Sequence, residues 1–594
     1  MAAQPHVVII GGGQDLWDDD GHRAQAQGLH QLHRRFSSVR RNLAGPGACV
    51  VLLAALRIRQ FANHSPQDNI YPGCSSDVAI HMYSLSSALS PDWTHTHAFQ
   101  PEIHAYWLAI AQKYDLYANV LFNREVVSAR WDPLAQAYTV ESVELELEGT
   151  GVRTECAPIT ATVLVSALGM LEIPRFPESI PGWATFAGPS FHSARWDYSV
   201  GLQGKRVAVI GSGASATQYV PLLASDPSID VTQYVRSPFW ILPPVRAEYS
   251  ATHRWLLRNI PGWLRMYRCL HFLWTELLYL VIFSNRFTNG LLEAKVRSYV
   301  RKTAPAEYAD QILPPKPDSD NYRLGCRRLV YDTSYLSSLA LPNMHMERDH
   351  IEAITPRGIV TKNKGLKEVD VLIFGTGYVT DSYSIPITGT SGKTVKEYFN
   401  EQGGPTAYLG TAIPGFPNFF MLFVHVYLLI KLSNAGPNTA TGHTSVLFAT
   451  ECQVAYILRL LDPLFSGALL SLEPTPAATD KYNRAIQRRL QGFVWSGKGC
   501  GSWYRAGGTK AGEEGKEGGK IHGLFPGSMS LYWWWMRRPV WRDFKVVAVG
   551  GWKPESPFGG ALGWCGAGAM VIGAGLGLGA LFASWRWGLG VLGY

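Results

Sequence analysis

Residues 205–220 read KRVAVIGSGASATQYV, and no other segment of this 594-residue chain leaves the backbone so little choice. A short apolar run ends at Ile210 and passes into Gly211-Ser212-Gly213-Ala214-Ser215-Ala216, which fits the pattern G-x-G-x-x-[GA]. Continuous apolar runs of this length are how strands buried in a parallel sheet look in sequence. Gly211 permits a tight turn, Gly213 lets the backbone approach a pyrophosphate, and Ala216 lets the next helix pack on the strand. Ser212, Ala214, Ser215 and Thr217 complete the turn, and the first N–H groups of the helix face the phosphates with its dipole behind them. About twenty residues on, a second strand ends in Arg236-Ser237. An acidic residue at that place holds the ribose 2′-hydroxyl of NAD. A cation beside a hydroxyl suits a 2′-phosphate instead, so the expected ligand is NADPH.

The same run-then-glycine signature recurs at residues 7–13, 163–169 and 371–377, which predicts an α/β architecture. At this length two to four domains are expected. The net charge is +8, and no basic cluster alternates with aromatics, so no nucleic-acid partner is expected. The eight cysteines are scattered without a C-x-x-C pair, which argues against a disulfide framework or a zinc site and favours a reducing compartment. No secretory signal opens the chain. A cytoplasmic enzyme is expected, or one held at a membrane and facing the cytoplasm.

Two apolar regions bear on membranes. Residues 556–585 carry no charge and much glycine, long enough for a membrane segment that would anchor the C-terminus. Residues 255–283 are aromatic and aliphatic, but Arg258, Arg265, Arg268 and Glu276 interrupt them. Their charge-free runs are too short to cross a bilayer, so a buried or interfacial helical pair is expected, ahead of a peripheral membrane contact. Residues 507–519 (GTKAGEEGKEGGK) form a low-complexity surface loop.

Upstream of the glycine turn stand Phe186, Gly188, His192, Trp196 and Asp197, spaced as F-x-G-x-x-x-H-x-x-x-W-[PD]. With every fixed position filled, the chain resembles the Baeyer–Villiger monooxygenases, class B flavin-containing enzymes, of fungal type. The resemblance runs from about residue 7 to 544. It implies two Rossmann-type dinucleotide-binding domains: an FAD domain at residues 1–185 and 375–545, interrupted by an NADP domain at 186–374. That NADP domain would carry a helical insert at 250–310, and residues 546–594 would be the apolar tail. His192 is expected to be structural, at the linker between the nucleotide domains.

Further matches carry roles implied by the resemblance. Tyr71-Pro-Gly-Cys-Ser-Ser-Asp77 matches [FY]-P-[GM]-x-x-x-D, so Asp77 would lie beside flavin and nicotinamide, and Tyr83 matches a flavin-contacting tyrosine. Cys326-Arg327-Arg328-Leu-Val-Tyr-Asp332 aligns with [KR]-R-x-x-x-D. Arg328 would be the catalytic arginine and Arg327 a basic residue near the 2′-phosphate. Chemistry explains the choice: the oxygenating species and its adduct with a ketone are anionic, and a guanidinium that never loses its proton stabilises both. Asp77 would hold that guanidinium in place. Residues 374–378 match the [AG]-T-G-[FY] turn that returns the chain to the FAD domain, and residues 436–443 and 500–504 match later FAD-domain segments.

The FAD end departs from the pattern. Gly11 and Gly13 open the first turn, but Leu16 and Trp17 stand where small residues belong, and no glutamate follows the second strand near residues 50–59. Residues 14–69 and 423–434 read as foreign to the family; a shifted reading frame in the first and a retained intron in the second account for both. Three functions therefore stay open: an FAD- and NADPH-dependent enzyme that uses O₂ to convert a ketone to an ester or lactone; a related N- or S-oxygenating enzyme; and a non-catalytic NADPH-binding protein that has lost FAD.

Overall fold

The computed structural model describes residues 6–11, 50–55, 69–145, 153–168, 173–284, 286–315, 322–379, 383, 385–422, 436–440, 442, 445–497, 500, 502, 504–505 and 519–553. Gly13, Leu16, Trp17, His443, Trp503, the run 423–434, most of the low-complexity loop and the tail beyond 553 lie outside these residues.

Two sheets organise the described chain, and each is built on one of the apolar runs. In the first, Val7–Gly11 pairs in parallel with Val50–Ala55 on one side and with Val163–Ser166 on the other. Phe419–Met421 adds beyond Val163–Ser166, while Val120–Asp132 and the antiparallel Ala137–Leu145 extend the far edge. Val7, Val8, Ile9 and Ile10 are fully buried, which is why their run has no polar alternation. Val50–Ala55 takes the second-strand place within the stretch read as foreign to the family. None of the six is acidic, as expected.

The second sheet is wholly parallel, in the order Met344–Glu347, Asp230–Tyr234, Arg206–Ile210, Val371–Phe374, Ser190–His192. In both sheets the first strand of a unit lies between a strand that follows directly and one that returns much later. The connections therefore leave in opposite directions at the carboxyl ends of Val7–Gly11 and Arg206–Ile210. A crevice opens at such switch points, where ligands of open α/β sheets bind.

The second unit carries a helical insert: Ala251–Asn259, Trp263–Tyr279, Arg286–Thr303 and Ala306–Ile312. Helix formation continues through Glu276, so the charge-free runs join into Trp263–Phe283, 21 residues of mean hydropathy 1.2, long and apolar enough to cross a membrane. Nor is the segment buried, since only 17% of its most apolar window is covered by protein.

Candidate active site

The glycine turn at 211–217 is held open from below. Gly211 has φ +119°, and a Cβ there would lie 2.2 Å from the carbonyl oxygen of Gly375. Only glycine fits such a place. Its N–H donates to Tyr234 O at 3.0 Å, and the Gln233 amide donates back to Gly211 O at 2.8 Å, so the second strand fixes the turn. Gly213 is the opposite case: a Cβ there would meet nothing within 4 Å. That open space is where a pyrophosphate would approach. Ala216 is fully buried and opens the helix Ala216–Ala224, whose N-terminus receives no side-chain cap. The Thr217 hydroxyl donates to Ala214 O at 3.0 Å, tightening the first turn, while Ser212 and Ser215 stay partly accessible beside it. These residues fit a dinucleotide. Arg236 stands exposed, with Ser237 half-buried beside it, at the end of Asp230–Tyr234. Arg327 stacks its guanidinium 4.6 Å above the Tyr322 ring, and its buried Nε has no hydrogen-bond partner, so an anion suits it.

Asp77 and Arg328 are 251 residues apart in sequence and meet in a bidentate pair. Arg328 Nε donates to one carboxylate oxygen at 2.6 Å and Nη2 to the other at 2.7 Å. Parallel N–H···O bonds of this kind fix the guanidinium plane as well as its position. The Arg328 side chain keeps 28% of its surface accessible against 12% for Asp77, so the cation reaches outward while the carboxylate supports it from behind. Around the pair, burial pushes the phenols of Tyr331 and Tyr504 up to about 12, with Asp77 adding to both shifts and Arg328 opposing them. Both phenols stay protonated at neutral pH.

The Tyr71–Asp77 loop of the first unit is pressed against the helix of the second. Gly73 has φ +75°, and a Cβ there would fall 2.7 Å from Leu222 and 2.9 Å from Gln218 O. The Tyr71 hydroxyl donates to Gln218 at 2.9 Å, and the Gln218 amide donates to the Ser75 carbonyl and hydroxyl at 3.1 and 3.2 Å. Arg246 donates to the Ser75 hydroxyl and, at 3.2 Å, to His97 O, and stacks 4.4 Å above Phe99. Burial pushes the His97 imidazole down to about 4; Asp77 opposes the shift and Arg246 adds to it. Sequence reasoning missed Gln218, Arg246 and His97. Gln218 lies one position past the glycine turn and was within reach. Arg246 and His97 stand in unremarkable loops and become neighbours of the site only by folding.

Other expectations are placed as follows. Tyr83 is buried in a cluster with Ile80, Trp93 and Trp107. Gly11 ends the first strand, beneath the first switch point. His192 is the last residue of Ser190–His192, and its Nδ1 accepts the Ala194 N–H at 3.1 Å. Burial, reinforced by Arg195, pushes its imidazole down to about 3, so it is neutral where it stands. One expectation has an exception. Cys326 and Cys500 form a disulfide across 174 residues, joining the segment before Arg327 to the returning first unit. No local spacing announces such a pair.

With this geometry in view, the relatives of the chain are informative. The flavin-binding monooxygenase-like family matches residues 60–256. A Baeyer–Villiger monooxygenase of Pseudomonas aeruginosa is 35% identical over 443 residues, which are 73% of this chain and 77% of that protein. The FAD-binding monooxygenase ktnD of Aspergillus niger is 32% identical over 494 residues, 81% of this chain and 75% of that protein. Among solved structures, cyclohexanone monooxygenase from Rhodococcus sp. Phi1 bound to NADP+ shares the fold, with a TM-score of 0.70 at 22% identity over 92% of this chain and 100% of that one. A glycine turn open to a dinucleotide and a bidentate aspartate–arginine pair thus stand in a chain that belongs to the Baeyer–Villiger monooxygenase family and is a flavoprotein monooxygenase.

Proposed function

We propose that this protein inserts one oxygen atom of O₂ beside a ketone carbonyl, giving an ester or lactone, with Arg328 and Asp77 as its catalytic pair. FAD and NADPH are its cofactors: when bound, they supply the hydride and the flavin-activated oxygen that the side chains do not. The single observation that carries the reading is the bidentate Arg328–Asp77 contact, with the cation accessible and the acid behind it. Oxygen transfer to a ketone passes through a tetrahedral adduct bearing negative charge on the former carbonyl oxygen. A guanidinium held in one plane stabilises that charge without reorganising and without giving up a proton.

The remaining residues bind and orient. The N–H groups from Ser212 to Thr217 hold the pyrophosphate of NADPH, with Gly213 open beneath it. Arg236, Ser237 and Arg327 supply two cations and a hydroxyl to the 2′-phosphate. Gly11 and Gly13 open the corresponding turn for FAD, with Tyr83 beside the flavin face. Gln218 and Arg246 brace the Asp77 loop against the NADP-side helix and so keep the two sites in register. Residues 1–185 with 375–545, and 186–374, are the FAD and NADP domains on this reading, and an anchoring role for the tail belongs to it as well.

The test is colour followed by product. Purified protein should show the absorbance near about 450 nm of bound oxidised flavin. With NADPH and a panel of ketones it should consume O₂ and release esters or lactones. Products only from amines or sulfides would replace the ketone reading with N- or S-oxygenation. Colourless protein that added FAD does not restore would sink both.

A further inference from the structure

The helix Trp263–Tyr279 is turned inside out for a soluble protein. Its inner face carries the polar groups: Arg268 is buried and donates to the carbonyls of His81 and Ser84 at 2.7 Å each. Glu276 accepts from the N–H groups of Met529 and Ser530, where the helix Met529–Met536 begins. Its outer face is apolar, with Met266, Leu270, Leu273, Trp274 and Leu277 recurring at the three- and four-residue spacing of one helical stripe. Met266, Trp274 and Leu277 of this stripe, and Trp255, Leu291 and Trp534 of other helices, are between 41% and 57% exposed. Large apolar side chains left exposed along one helix face mark a contact surface.

Charge identifies the partner. Residues 251–303 hold nine Lys and Arg against two Glu; Arg258 and Arg301 pair with Asp92 and Asp310, and Arg268 is buried, which leaves six further cations in the segment. Both acids are turned inward, Glu276 onto Met529 and Glu293 onto the Leu324 N–H at 2.9 Å. Arg265 and Lys295 are exposed, and Arg537 stacks on Trp534. Aromatic and aliphatic side chains in a cationic surround are what an anionic lipid surface binds, through apolar burial and attraction to its headgroups together. A second copy of this chain would bring the same positive face against itself.

We infer that this face docks the protein onto an anionic bilayer, lying on the surface with the stripe of Trp263–Tyr279 immersed. It does not span: crossing would strip Arg268 and Glu276 of the backbone partners that tie the helix to the protein. The inner side of the same helix holds the loop that carries Asp77 and Tyr83. Docking therefore sets the candidate site about one helix diameter, roughly 10–12 Å, from the lipid.

Vesicle sedimentation of the full-length holoenzyme tests this without any turnover, so it stands or falls separately from the reaction proposed above. The protein should pellet with vesicles of phosphatidylserine and phosphatidylcholine, and weakly with phosphatidylcholine alone. Rising salt should release it in part. Leu277→Glu and Trp274→Glu alter only the outer stripe, should melt like the parent, and should each weaken binding by about tenfold or more. The double variant Arg265→Glu/Lys295→Glu should lose the preference for the anionic lipid. No sedimentation overturns the proposal. So does binding that the stripe variants leave intact, which would place the contact elsewhere, as in residues 554–594. A dimer in solution that Leu277→Glu dissociates, without vesicle binding by the parent, assigns the face to a second copy and overturns it too.

Discussion

The contact between Asp77 and Arg328 lends itself to a worked perturbation. Two unit charges about 4 Å apart attract by ~4 kcal/mol at an effective dielectric of about 20. The pair keeps 28% and 12% of its side-chain surface accessible, so part of that attraction goes to desolvation. A double-mutant cycle on Asp77→Ala, Arg328→Ala and both together should then give a coupling of about 2–3 kcal/mol in equilibrium denaturation. Catalysis reads the same contact differently. Removing a preorganised group that stabilises oxyanion charge costs about 10²–10³ in turnover. Arg328→Ala should lose that much ketone oxygenation at saturating NADPH. Arg328→Lys should recover little, because an ammonium cannot bridge the two carboxylate oxygens that Nε and Nη2 reach at 2.6 and 2.7 Å. Asp77→Asn keeps the shape and removes the charge, and should fall between parent and Arg328→Ala. The measurements are product formation by chromatography alongside NADPH consumption. If Arg328→Ala oxygenates ketones within about fivefold of the parent, or the coupling is below about 0.5 kcal/mol, the assignment of this pair as the catalytic contact is refuted.

Gly211→Ala forces a Cβ to 2.2 Å from Gly375 O at a φ of +119°, so it should weaken NADP+ binding at least tenfold and lower stability by about 2–3 kcal/mol, read by titration and thermal melting. Arg236→Ala should reduce kcat/KM for NADPH by about 10- to 100-fold and leave that for NADH nearly unchanged, since a charged hydrogen bond contributes about 1.5–3 kcal/mol; equal losses for both nucleotides would place the 2′-phosphate elsewhere. Burial lowers His81 and His192 to about 3, and His97 and His271 to about 4. Unfolding lets each take up a proton below about 6.5, so their contribution is complete above that pH and is lost as pH falls toward 4. Each group should steepen the decline by up to ~1.4 kcal/mol per pH unit in that window, and His271→Gln should flatten a series of urea unfolding curves. Peptide mapping without reductant should recover Cys326 linked to Cys500.

Much of the site was legible because its chemistry rests on backbone conformation and on fixed local spacing. Gly211, Gly213 and Ala216 follow from what a phosphate-binding turn demands, and Arg236 from its place at the end of the next strand. Buried parallel strands betray themselves as unbroken apolar runs, which is why Val7–Ile10, Val207–Ile210 and Val371–Phe374 were readable. The exposure of residues 255–283 was not legible for a plain reason: charge counted along the chain says nothing about which face of a helix the charge occupies.

The sequence by itself determined that a glycine turn at residues 211–217 is followed by a strand ending in Arg236-Ser237, a pattern that suits NADPH, because it resides in one strand–turn–helix–strand unit. Only the tertiary structure decided that Asp77 and Arg328 touch, that Gln218 and Arg246 brace the loop between two units, and that Cys326 reaches Cys500. It also decided that Trp263–Tyr279 turns Arg268 and Glu276 inward and Trp274 outward. Contacts between residues 143 to 253 positions apart depend on how sheets and helices stack, and on the burial that this stacking imposes. No local pattern encodes either.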